Sequence, residues 1–165
     1  MTDSTMTYGP TAYDPAVHPE RYEGVRTRRI FAFFVDAAVI FFLMVMASMV
    51  IAVLGIFTLG LGWLLFPLVW PVVAILYTVL TMGGPRSATP GMRFTGIEMR
   101  TLHGEGLNYP LALLHALGFW FSVTLLTPFI LLVALFTPRK QLLHDLALGT
   151  AAIRSGPPIS AYRTR

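Results

Sequence analysis

No cysteine occurs among the 165 residues, which removes disulfides, thiolate metal sites and cysteine nucleophiles at once. Charge is scarce as well: Asp, Glu, Lys and Arg make up 12% of the chain, against about 25% in soluble domains. Enzyme signatures are missing. Residues 83–91 hold glycines but no Gly-Lys-Ser/Thr ending of a phosphate loop, there is no Gly-x-Ser-x-Gly, and His103-Gly104-Glu105 is not a zinc-protease motif. The four histidines, His18, His103, His115 and His144, are scattered without a His-x-x-x-His spacing, so the sequence makes no case for a metal and implies no cofactor. The expectation is a protein that is not an enzyme.

What remains is apolar. The chain is 55% hydrophobic, with a mean hydropathy of +0.68, and its length suggests one domain. This composition is that of an integral membrane protein. The net charge is +4, but the basic residues gather before Ile30 and after Pro138. Basic flanks on apolar spans follow the positive-inside rule, so the expected partner is the lipid bilayer and not nucleic acid. A secretory leader is not expected, because the first apolar run starts near residue 30 after a polar tail and exceeds a 7–15-residue signal core.

Residues 1–25, with Gly9, Pro10, Pro15 and Pro19 among polar residues, read as a disordered cytosolic tail. A first span follows from about Arg28 to Leu54, and Leu59-Gly60-Leu61-Gly62 makes an outer turn. The second span runs from about Trp63 to Met82, with Pro67 and Pro71 expected to kink its outer half. The polar segment from Arg86 to Asn108 alternates Ile97, Met99 and Thr101 with Glu98 and Arg100. It reads as a small cytosolic β-hairpin turning at His103–Gly106, with an irregular amphipathic loop as the alternative.

Tyr109 to Phe136 is a third apolar region, read either as a re-entrant hairpin or as one kinked crossing; Arg139 and Lys140 beyond it favour the hairpin and a cytosolic carboxyl end. Ala112 and Ala116, then Gly118 and Ser122, are small-residue pairs suited to close helix packing. Thr137-Pro138 suggests an N-cap and first position of a short helix reaching Leu148, with Thr150–Ile153 adding a strand and residues 155–165 disordered. The fold class is therefore all-α and membrane-embedded: two transmembrane helices, a third apolar region and a little cytosolic β structure.

One carboxylate interrupts the apolar sequence. Asp36 is the single formal charge between Ile30 and Met82, and a charge at the centre of a membrane helix costs about 2.5–3.5 kcal/mol on insertion scales. Arg29 lies seven residues earlier, two turns, on nearly the same face. Tyr77 and Thr81 share a face of the second span, where their hydroxyls can meet Asp36. His144 beside Asp145 suits a proton hand-off near neutral pH or a helix cap. His115, inside apolar sequence, reads as an interhelical hydrogen-bonding residue.

Three segments carry a resemblance: Arg29-x-x-Ala32-x-x-x-Asp36; Thr89-Pro90-Gly91-x-Arg93 with Gly96; and Arg139-Lys140-Gln141-x-Leu143-His144-Asp145 with Gly149-Thr150. In this order, and over about residues 22–154, the chain resembles the RDD family of membrane proteins, named for one arginine and two aspartates. The resemblance implies that Arg29, Asp36 and Asp145 are the named trio, and that transport of an unidentified ligand, ion- or proton-coupled, is the function to expect. Met92 departs from an expected lysine and His115 from an expected arginine, which removes two positive charges an anionic ligand would need. The rival expectation is a non-catalytic membrane subunit or assembly factor in which the trio only holds the fold. With so few spans, a transport path implies a homo-oligomer or a membrane-protein partner. The trio is expected to form one electrostatic cluster at the cytosolic side.

Overall fold

A computed structural model describes residues 14–126 and 137–156. The chain opens with a 3-10 turn, Pro19–Tyr22, and helix α1 follows as Val25–Phe57. A second 3-10 turn, Leu61–Leu65, leads into α2, Phe66–Met82. Then come a one-and-a-half-turn helix α3, Pro90–Thr95, strand β1, Ile97–Thr101, and helix α4, Tyr109–Leu126. A short helix α5, Leu143–Ala147, and strand β2, Thr150–Arg154, complete the described chain. The described residues are mostly helical, with two helices long and apolar enough to cross a membrane and one two-stranded antiparallel sheet.

Helix α1 has 33 residues, and at 1.5 Å per residue it is about 50 Å long. Its side chains mostly face outward: Phe31, Phe34, Phe41 and Phe42 are each more than 60% exposed. Contiguous apolar surface on this scale needs a non-aqueous neighbour. Where α1 meets the following 3-10 turn, the approach is close enough to exclude side chains. A Cβ on Gly62 would lie 2.8 Å from the Gly55 nitrogen, and one on Gly55 would fall within the Trp63 indole. The glycines of the outer turn are there because two backbones touch.

The packed core sits at the opposite end. Val25 and Ala32 of α1, Met82 of α2, Met92 of α3, Ile97 and Met99 of β1, Leu107, Ala112 of α4 and Ala152 of β2 form one buried cluster. Strand β1 presents Ile97 and Met99 to this core while Glu98 and Arg100 alternate outward, the period-two pattern visible in the sequence.

Three expectations need correction. The partner of β1 is not a hairpin arm but β2, in the register Ile97↔Arg154 to Thr101↔Thr150; the local return is a single bridge, Arg100↔Gly106. Thr137 does not cap a helix at Pro138: its hydroxyl accepts the Gln141 amide (2.9 Å), closing a turn, and Lys140 takes a left-handed φ of 52° that no helix continues through. Helix therefore starts only at Leu143. Part of the expected tail is packed: Tyr22 is buried with Ala151 and Ile153, and Arg21 donates to the Arg154 carbonyl at 3.0 Å. Residues 1–13 and 157–165 lie outside the described chain, as does the 127–136 stretch on which the choice between hairpin and kinked crossing falls.

Candidate functional site

The trio divides into two polar centres. At the first, Asp36 accepts three hydrogen bonds: from the Tyr77 hydroxyl (2.6 Å) on α2, the Thr89 hydroxyl (2.5 Å) and the Gly91 amide (2.8 Å). Thr89 is the N-cap of α3, its oxygen also accepting the Met92 amide at 3.2 Å. One carboxylate thus ties α1 to α2 and to the start of α3. Bonds to a charged acceptor contribute about 1.5–3 kcal/mol each, enough to offset the cost of placing this charge in apolar sequence. The fit depends on Gly91, where a Cβ would stand 2.3 Å from the Ala32 carbonyl oxygen and 2.7 Å from the Asp36 carboxyl carbon. Thr89-Pro90-Gly91 is therefore a receptor for Asp36. Of the two hydroxyls expected here, Tyr77 arrives; Thr81 instead donates to the Tyr77 and Thr78 carbonyls of its own helix.

At the second centre, Arg29 Nη1 donates to Asp145 Oδ2 at 2.6 Å, and the Leu142 amide donates to the same oxygen at 3.0 Å. Arg29 Nη2 rests on the Met99 sulfur (3.7 Å). Asp145 is fully buried. Burial pushes its carboxyl pKa up, but the Arg29 guanidinium, with smaller help from the imidazoles and the Leu142 amide, leaves it below the usual carboxylate value. Among the described residues no ion pair joins Arg29 to Asp36, so the single cluster expected from sequence is two: two turns of helix are too far for the guanidinium, and each carboxylate has found nearer donors.

Two histidines that the sequence left apart complete this centre. His115 on α4 and His144 on α5 stack edge-to-face, ring centroids 4.7 Å apart. His115 Nδ1 is 3.6 Å and His144 Nε2 3.5 Å from Asp145 Oδ1. Both rings are buried, and burial lowers the His144 pKa to about 4, so that ring is neutral near pH 7. Oδ1 accepts no hydrogen bond, and neither does either Nδ1 find a partner. The expected hydrogen-bonding role of His115 is thus not realised at Nδ1. Room for His144 comes from Gly118, whose added Cβ would meet the His144 Cβ at 3.1 Å. Phe119 packs on His144 (5.6 Å) and on Trp120 (5.3 Å), and Trp120 packs on Trp70 (4.5 Å), closing an aromatic wall beside the centre.

Sequence reading named Arg29, Asp145, His144 and His115 but missed that the last two meet. The available signal was the small face of α4, where buried Ala112 and Ala116 and close-packed Gly118 leave a side free for another element. The outcome is a buried carboxylate with one oxygen committed to an arginine and the other turned to two imidazoles. Such a centre can hold a proton or a cation, or fix α4 and α5 to α1.

Searches of curated proteins and of solved structures find no match. The family model described as the RDD family matches residues 24–149, which takes in Arg29, Asp36, the α3 receptor and Asp145. With that match covering most of the chain, the protein belongs to the RDD family, whose members are typically membrane proteins.

Proposed function

We propose that this is a multi-pass inner-membrane protein with both ends cytosolic, and that it takes part in ion- or proton-coupled transport through the Arg29–Asp145–His115–His144 centre. The observation that carries the reading is Asp145 Oδ1: fully buried, without a hydrogen bond, beside two histidines. A buried ionisable group left unsatisfied on one side is where a membrane protein handles charge. The topology is supported by Arg26, Arg28 and Arg29 before the first span and Arg139 and Lys140 after the last. It is further supported by contacts between the two ends: Lys140 donates to the Tyr22 carbonyl, and Arg21 to the Arg154 carbonyl. Trp120 packs on Trp70, about 18 Å along α2 from Met82, which supports α4 running outward beside α2 in the proposed topology.

Reconstitution into liposomes with pH- and cation-sensitive dyes tests the reading. Flux that Asp145→Asn abolishes is expected; no flux from the wild type under any imposed gradient, or equal flux from the variant, defeats it. A second reading, a non-catalytic subunit or assembly factor, is favoured at Asp36, where all three bonds serve to dock α2 and α3. Enclosing a path with so few helices requires more than one copy or another membrane protein. A stable monomer in nanodiscs that binds no partner favours the second reading.

A further inference from the structure

We propose that His115, His144 and Asp145 bind a divalent transition-metal ion of the zinc class. The proposal goes beyond the transport reading and does not need it, since the site is built from the donors alone. Three potential ligand atoms, one from each residue, lie within 4.8 Å of one another, and all three residues are buried. Two of the three spacings match those of a small ion, and the two imidazole nitrogens, within 4.8 Å of each other, draw in when an ion binds. Metal–nitrogen and metal–oxygen bonds of about 2.0–2.2 Å put neighbouring ligands of a tetrahedral ion about 3.3–3.6 Å apart, and of an octahedral ion about 2.8–3.1 Å apart. The Oδ1–Nδ1 and Oδ1–Nε2 separations are 3.6 and 3.5 Å, at the tetrahedral spacing and too long for good hydrogen bonds.

The surroundings are those a ligand set needs. Asp145 Oδ1 and His115 Nδ1 face each other with no hydrogen-bond partner, although each belongs to a residue at least nine-tenths buried. Buried polar atoms left in this state call for a water or an ion. Arg29 and the Leu142 amide hold Oδ2, which fixes the carboxylate with Oδ1 toward the imidazoles, the outer-shell support that ligating carboxylates receive. Two imidazoles and a carboxylate suit zinc, cobalt, nickel or copper and not magnesium or calcium, which prefer all-oxygen sites. Arg29 shares the Asp145 charge with the ion. That limits affinity.

The test uses the full chain in detergent micelles, stripped with a chelator and titrated with Co²⁺, then Zn²⁺. One Co²⁺ per chain is expected, with the intense visible absorption of four-coordinate cobalt, displaced by Zn²⁺. Because loss of an outer-shell partner alone costs a site about 10–100-fold, His115→Gln and His144→Gln should each weaken binding by at least about tenfold. His103→Gln, in the exposed turn, should leave it unchanged. Absence of Co²⁺ binding, or binding that neither His115→Gln nor His144→Gln weakens, overturns the site and leaves a bridging water as its occupant. Should those variants misfold, X-ray absorption of the zinc-loaded wild type decides: two imidazole ligands support the assignment, one or none defeats it. Flux is read separately in liposomes, so a metal-binding protein without transport and a transporter without the metal give different results.

Discussion

Replacing Gly91 with alanine isolates the lock at Asp36. Helix propensity alone favours the change, by up to about 1 kcal/mol. Steric contact opposes it: the new methyl would sit 2.3 Å from the Ala32 carbonyl oxygen and 2.8 Å from Asp36 Oδ1. The first obstacle is backbone of a long helix and cannot rotate away, so α3 must retreat by about an ångström to restore ordinary van der Waals contact. Two of the three donors to Asp36, the Gly91 amide and the Thr89 hydroxyl, retreat with it; Tyr77, on α2, stays. At about 1.5–3 kcal/mol for each bond to a charged group, the loss is about 3–6 kcal/mol before relaxation, well above the propensity gain. Thermal unfolding in detergent should show Gly91→Ala clearly destabilised. Asp36→Asn and Gly91→Ala combined should cost less than their sum, since both act on the same bonds. A Gly91→Ala protein as stable as the wild type would refute the argument that glycine is required by this contact.

Arg29→Gln leaves Asp145 buried without its cation and should cost about 3–5 kcal/mol; adding Asp145→Asn should recover part of that, whereas Arg29→Gln and Asp36→Asn should be additive, as a double-mutant cycle on unfolding will show. Tyr77→Phe removes one 2.6 Å bond to Asp36 and should cost about 1.5–3 kcal/mol in the same unfolding assay, with Thr81→Val costing less because its bonds stay within its own helix. The chain lacks cysteine, so single cysteines report topology directly: Leu59→Cys should react with an impermeant maleimide from outside intact cells, and Glu105→Cys only after permeabilisation.

The parts legible in the sequence were those written in continuous stretches. Two apolar runs gave α1 and α2, Asp36 stood out because charge in apolar sequence is expensive, Arg29 through its register with Asp36, and Asp145 through the resemblance to the RDD family. Thr150–Ile153 was read as a strand added to the inner β structure and does pair there. Ile97 meets Arg154 across most of the second half of the chain, while the nearby His103–Gly106 turn offered a local alternative that the fold uses for only one bridge. Other meetings of distant segments were not legible. His115 and His144 carry no mutual spacing signal; they meet because α5 settles against Gly118. At Thr137-Pro138 the residue types fit an N-cap, but the Thr137 hydroxyl was taken by Gln141 in a turn, a local competition that composition does not decide.

The length of α1 bears on where its aspartate stands. Measured inward from Phe57, the hydrocarbon layer of about 30 Å is crossed in about 20 residues, which ends the span near Ala37. If α1 crosses as proposed, Asp36 would fall at the inner boundary of the layer and not at its midplane, and Arg29, about 10 Å further along the axis, among the lipid headgroups. In that topology the first turns of α1 would be a stalk standing out of the oil, with the α3 receptor, the sheet and α5 gathered around it. In the proposed topology both polar centres would then be open to the cytosolic side.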